Sequence, residues 1–187
     1  VRARATKKER WVRRVKGESN MLISGKIYIG IDNGVSGTIG WSGNLNGNHC
    51  FGQVSMPVRK ELSYTKEKKN INRVLFSELK QILFAWNYLG STLAVIERPM
   101  INPGRFTASL SAIRCLESTL IALEELEIPH QYIDSKQWQS VILPKGLKGD
   151  QLKKASIDIG RRLFPSVNCK PDADGILIAE WARRTGL

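Results

Sequence analysis

The stretch at residues 26–41, KIYIGIDNGVSGTIGW, constrains the fold of this chain more than any other. Ile27, Tyr28, Ile29, Gly30 and Ile31 have the β-branched and aromatic character of a buried strand, with no charge until Asp32. Asp32 therefore ends a strand that belongs in a core. Asn33-Gly34 follows, a hairpin-turn dipeptide, and Thr38-Ile39-Gly40-Trp41 reads as the returning strand. A carboxylate at the end of a buried strand is costly unless it is paired, hydrogen-bonded or on a metal. For an isolated Asp-Asn-Gly, a turn-capping aspartate is the simpler account. What decides is whether other acids share its setting.

The rest of the chain continues the pattern. Residues 49–56 read as a third strand, closed by Pro57, and the polar stretch 59–70 reads as a loop. Ile71, Leu75, Leu79, Ile82 and Trp86 recur at helical steps and predict a helix ending near Gly90. The apolar run 92–97 is a fourth strand, and residues 98–106, with two prolines and a glycine, are a loop. Residues 107–127 are helical in pattern, with Leu110, Ile113, Leu116, Leu120 and Leu123 in a stripe. Residues 130–134 form a fifth strand. A helical turn at 136–141 leads to a basic loop at 144–149. Asp150 is placed to cap a helix reaching Phe164, with Leu152, Ala155, Ile159 and Leu163 inward. The last helix spans 171–184, with Pro171 in its first turn. Three meandering antiparallel strands followed by alternating helix and strand imply an α/β fold: a five-stranded mixed sheet with helices on both faces.

Charge and cysteines bound the function. The 187 residues carry a net charge of +12, which favours a polyanionic partner, nucleic acid ahead of a membrane surface. Cys50, Cys115 and Cys169 are widely spaced and odd in number, which points away from a disulfide framework or zinc site and toward a reducing compartment. No apolar run is expected to reach transmembrane length and no signal-peptide core is seen, so a cytoplasmic protein is expected. Residues 1–20 hold eight Arg or Lys against two Glu, with sparse apolar residues. They read as a basic extension (1–25), disordered alone, ahead of a domain at 26–187. It is either an arm that grips phosphates or a segment upstream of a start at Met21.

Asp32 is not alone. Glu97 ends the fourth strand after Leu93-Ala94-Val95-Ile96, and Asp174 precedes the apolar run Ile176-Leu177-Ile178-Ala179. In a mixed sheet, strands one and four can be neighbours, and the last helix can pack on their ends. Three clustered carboxylates cannot all stay ionised without a cation. Mg²⁺ takes oxygen ligands, and two such ions clamp the attacking and leaving oxygens of a phosphodiester. Asp172 lies two residues from Asp174, roughly 200° around a helix. Either it caps that helix while Asp174 binds metal, or it stands outside the first turn and adds a fourth ligand.

IGIDNGVSGTIGW, AVIERP and PDADGILIAEWARR, in that order, resemble the active-site motifs of RuvC-like Holliday junction resolvases, within the ribonuclease H superfamily. YIDSKQWQ and LKKASIDIGRRLFP are similar to the intervening segments, so the resemblance spans roughly residues 26–184. It implies a ribonuclease H-like fold and a metal-dependent endonuclease, usually a homodimer, that nicks opposed strands of a four-way DNA junction. By position, Asp32, Glu97 and Asp174 match the family's catalytic and metal-binding acids, with Mg²⁺ (Mn²⁺ as substitute), two ions per site, as cofactor. The family often has Asp or His three residues before the last aspartate. Pro171 stands there, and Asp172 is the candidate replacement.

The loop after Glu97 carries Arg98, Met100, Arg105 and Phe106; in similar resolvases an aromatic near here stacks on an unpaired base. Phe106 and Met100 are the candidates, with anchoring of the next helix in the core as the alternative. Lys136, Lys145, Lys148, Lys153 and Lys154 form a candidate phosphate-gripping patch. Three rivals remain. One is another ribonuclease H-like nuclease acting on other branched DNA or RNA–DNA hybrids. The second is an actin- or sugar-kinase-like phosphotransferase, which needs two such lobes. The last is an inactive DNA-binding module, which would have no use for three acids.

Overall fold

In a computed structural model, residues 25–187 are described except for 64, 65 and 67. The basic segment 1–20, and nearly all of the expected 1–25 extension, lies outside the described residues. Strands β1 (Lys26–Ile31), β2 (Thr38–Leu45), β3 (Asn48–Ser55), β6 (Ser91–Glu97) and β7 (His130–Ile133) form a five-stranded sheet in the order β3-β2-β1-β6-β7. β1 pairs antiparallel with β2 and parallel with β6, and β6 pairs parallel with β7. This is the mixed α/β sheet expected from the motifs.

Alternation along β1 builds two cores at once. Ile27, Ile29 and Ile31 point to one face, where Leu79 and Leu83 of helix α1 (Phe76–Asn87) and Ala122 and Leu123 of helix α2 (Phe106–Glu125) cover them. Tyr28 points to the other face. There Ile176, Leu177 and Ile178 of helix α5 (Asp174–Thr185) pack with Trp138 of helix α3 (Ser135–Ile142) and with Phe164. Phe164 follows helix α4 (Asp150–Leu163).

Several local expectations are corrected. Asn33-Gly34 is no two-residue hairpin turn. Ile31 pairs with Ile39, which leaves a loop at 32–37, and neither residue has positive φ. The tight turn is Asn46-Gly47, with φ of 51° and 82°, joining β2 to β3. The stretch 59–70 is not a loop throughout: β4 (Val58–Leu62) and β5 (Asn70–Val74) pair as a separate two-stranded sheet. Ile71 lies in β5, and α1 begins only at Phe76. Gly149, not Asp150, is the N-cap of α4, and Leu163 is exposed because Ser156 and Gly160 form the buried side. Pro171 precedes α5, which begins at Asp174. The segment Pro103–Glu125 is, by length and composition, long and apolar enough to cross a membrane, contrary to expectation. In the fold it is a three-residue 3₁₀ turn running into α2, which buries Cys115, Thr119, Ala122 and Leu123 against the sheet layer.

Helix α5 lies unusually close to the strands because the contact is made by glycines. A Cβ on Gly40 would sit 2.3 Å from the backbone N of Ile176, and one on Gly30 would sit 2.2 Å from the carbonyl oxygen of Gly175. At the far end of α5, buried Glu180 accepts from Ser42, Arg183 and Arg184 at 2.8 Å each. Burial works against its charge, but these bonds hold its pKa down to about 2. Because the atoms met at Gly40 are backbone, they have no rotamer to yield. Gly40→Ala is expected to cost about 2–4 kcal/mol and to lower Tm by roughly 4–10 °C in thermal melts, whereas Gly47→Asn in the open turn is expected to cost under about 1 kcal/mol.

Candidate metal centre

The parallel register of β1 and β6 sets Ile31 beside Ile96, so Asp32 and Glu97 leave adjacent strands at the same edge. Asp174 arrives as the first residue of α5. Asp172 stands outside that helix, because Ala173 is its N-cap. It stands both at the start of the helix and among the acids. Its Oδ1 accepts from the Asp174 N–H at 3.2 Å and from the Thr38 hydroxyl at 2.7 Å, while its carboxylate joins the acidic group. Carboxylate oxygens of Asp32, Asp172 and Asp174 all lie within 4.8 Å of one another. This all-oxygen, all-anionic donor set fits a hard divalent cation such as Mg²⁺ or Mn²⁺.

Glu97 stands beside this group, not within it. Its two oxygens accept from the Ser135 hydroxyl and, at 2.8 Å, from the Trp138 indole N–H. Ser135 and Trp138 are three residues apart on α3 and so share a face. The Asp134–Gln137 capping box holds the start of that helix. Ser156 of α4 donates to Asp174. Gln53 of β3 donates to the Asp172 carbonyl at 2.9 Å and accepts from the Ile176 N–H at 3.1 Å, which clamps the entry to α5. Sequence reasoning passed over Ser135, Trp138, Ser156, Thr38 and Gln53. Only the i, i+3 spacing of Ser135 and Trp138 left a readable signal.

The electrostatics are those of a site short of positive charge. Burial, then the charges of Asp174, Asp172 and Glu97, push the Asp32 carboxyl well above its usual range, with Lys153 opposing. Burial also pushes Asp174 up to about 6, helped by Asp172 and Glu97 and opposed by Ser156 and Lys153. Lys153 lines the same cavity as the three aspartates. Lys136, Lys145, Lys148 and Lys154 are exposed on α3, α4 and the loop between them. Arg98 is ion-paired with Asp134 at 3.0 Å. Met100 and Phe106 are 82% and 72% exposed, so neither anchors the next helix in the core. Met100 shares a cavity with Arg105, Val35 and Ser36.

The fold and this edge of the sheet define the chain as having a RuvC-like, ribonuclease H-type architecture. Among solved structures it is similar to RuvC of T. thermophilus in complex with a Holliday junction substrate, with a TM-score of 0.52, 13% identity, and 86% of this chain and 96% of that one covered. It is similar to a second Thermus thermophilus RuvC structure at TM-score 0.51 and 14% identity, with the same coverage. No family model and no curated protein matches the sequence.

A carboxyl with a raised pKa keeps its proton in the folded chain where the unfolded chain has lost it. Without metal, Asp174 therefore gives stability that is present below about pH 4 and lost as pH rises through about 6. Asp174→Asn removes this loss. Its metal-free stability relative to the parent, from urea melts, should increase between pH 4.5 and 7.5 by on the order of 1–3 kcal/mol. Saturating Mg²⁺ should close the gap at pH 7.5 by stabilising only the parent.

Proposed function

We propose that the chain is a divalent-metal-dependent endonuclease that resolves four-way DNA junctions, with Mg²⁺ as cofactor and Mn²⁺ as a substitute. The observation that carries this is the meeting of Asp32, Asp172 and Asp174, with Glu97 alongside, at one edge of a RuvC-like sheet. The neighbour whose structure contains a Holliday junction supports the choice of substrate.

Asp32, Asp172 and Asp174 would hold the ion, and a second would draw on Glu97. When bound, the cations supply neutralisation of the charge that builds on phosphodiester oxygens during hydrolysis. The chain's own residues keep the acceptors in place. Thr38 fixes one oxygen of Asp172, Ser156 one of Asp174, and Ser135 with Trp138 both of Glu97. Lys153 lines the same cavity and would meet a phosphate there. The exposed Phe106 and Met100 are wedges for an opened junction, and Arg105 and the lysines of α3, α4 and their connecting loop are phosphate contacts.

Paired cutting needs two centres, and each chain offers one. Ile113 and Ile121 of α2 remain 45% and 43% exposed, apolar surface that a two-fold homodimer through that helix would cover. On this proposal residues 26–187 are the nuclease domain, residues 1–25 an added basic segment, and the setting cytoplasmic.

Asp32→Asn, Glu97→Gln and Asp174→Asn are each expected to lower junction cleavage by at least about 10³-fold while leaving junction affinity equal or tighter, measured by gel cleavage and gel shift. Full cleavage by Asp32→Asn would overturn the assignment. In a panel of four-way junction, fork, RNA–DNA hybrid and linear duplex, the four-way junction should be cut fastest. Preference for the hybrid would favour a ribonuclease H-like activity instead. Mixing parent and Asp32→Asn chains should yield dimers that nick a supercoiled cruciform and seldom linearise it.

A further inference from the structure

The β4–β5 hairpin stands outside the main sheet, yet it is ordered against it. Val74 is buried in the core shared with α1, and β5 packs on α2. Between residues 58 and 74 the sequence places six basic residues against two acidic ones. Arg59 and Arg73 face each other directly across the ladder. Like charges in that register repel, and Glu61 lies between them, 2.7 Å from Arg59 and 3.1 Å from Arg73. One carboxylate between two guanidiniums leaves a positive surplus. Lys60, Lys66 and Lys68 are exposed with no acidic partner among the described residues.

The hairpin and the N-terminal half of α2 enclose a groove of about 650 Å³. Lys69, Asn70, Asn72, Ser111, Arg114 and Phe106 line it, and among the described residues no acid does. Its amides, hydroxyl and cations are the donors that sugar–phosphate backbones accept from, and Phe106 offers an exposed ring at its mouth.

The groove is also continuous with the acidic centre. Ser36 borders both the aspartate cavity and the neighbouring cavity of Met100 and Arg105. Val35 borders that second cavity and the hairpin groove. Over the one loop 32–37, the surface changes from acid-lined to base-lined. A polyanion whose scissile phosphate is at the aspartates has a path along this loop toward the hairpin.

We propose that the β4–β5 hairpin and the facing turns of α2 form a cradle for the backbone of the DNA arm that leaves the acidic centre on the Phe106 side. This rests on the endonuclease assignment and adds to it a second grip, distinct from the lysines of α3 and α4. Lys60 is paired across the ladder with Asn72, which lines the groove, and Lys69 lines it directly.

The test is the double variant Lys60→Glu/Lys69→Glu, with Lys60→Ala/Lys69→Ala as the milder pair, bound to a synthetic four-way junction over a salt series. Loss of two phosphate contacts should raise Kd about tenfold and flatten the slope of log K against log salt by about 2, with the alanine pair between. Mn²⁺ affinity and the thermal melt should be unchanged, since the carboxylates and the core are untouched. Parent-like Kd and slope in both pairs would overturn the cradle and leave the endonuclease assignment standing. Failure of the parent chain to bind DNA in any form would overturn both.

Discussion

The close approach of α5 to the β1–β2 pair is the constraint on which the rest of the structure depends. Helix and strand normally keep their distance because side chains intervene. Here Gly30, Gly40 and Gly175 remove those side chains, and backbone meets backbone. The first turn of α5 is thereby seated at the edge where β1 and β6 end. Asp174 and Asp172 come within a few ångströms of Asp32 because three glycines leave no room for anything else. Farther along the helix, the buried Glu180, satisfied by Ser42, Arg183 and Arg184, stops it sliding.

This arrangement works against the stability of the metal-free chain. Burial and mutual repulsion push Asp32 and Asp174 toward their neutral forms. The Ser156 hydroxyl opposes this at Asp174, and Thr38 on Asp172 and Ser135 with Trp138 on Glu97 fix where those carboxylates sit. These donors keep the carboxylates positioned when nothing neutralises them. On the metal-dependent assignment, a cation would enter a site whose shape is already set, and relief of the repulsion among the aspartates would add to its binding energy.

Much of this was legible in the sequence, for a physical reason. Apolar runs ending in an acid, as at Asp32 and Glu97, violate the rule that buried strands avoid charge, and such violations mark sites. The order of strands and helices allowed strands one and four to be neighbours, and the register makes β1 and β6 a parallel pair. What stayed hidden depends on tertiary contact. Asn33-Gly34 matches a hairpin turn as well as Asn46-Gly47 does, and only the β1–β2 register separates them. The β4–β5 hairpin is written in lysines and asparagines, because its solvent-facing ladder buries little beyond Val74. Trp138 reads as an ordinary core residue, and its indole N–H becomes informative only when Glu97 is seen against it.

The same distinction explains how the charge is distributed. In a chain of net charge +12, the acids gathered at the ends of β1 and β6 and the start of α5 are largely withdrawn from water, while the lysines of α3, α4 and the hairpin are exposed to it. Exposed lysines on α3, α4 and the hairpin act at long range and weakly one by one, which suits gathering a polyanion from any direction. The buried aspartates act at short range and strongly, which suits holding one cation at one place. Among the described residues, Lys153 is the single lysine that lines the aspartate cavity. Its charge partly offsets the repulsion among the aspartates while leaving their oxygens turned toward one another. On the endonuclease assignment, attraction of DNA and fixation of the cation are therefore separable functions of different surfaces, joined by the short loop 32–37.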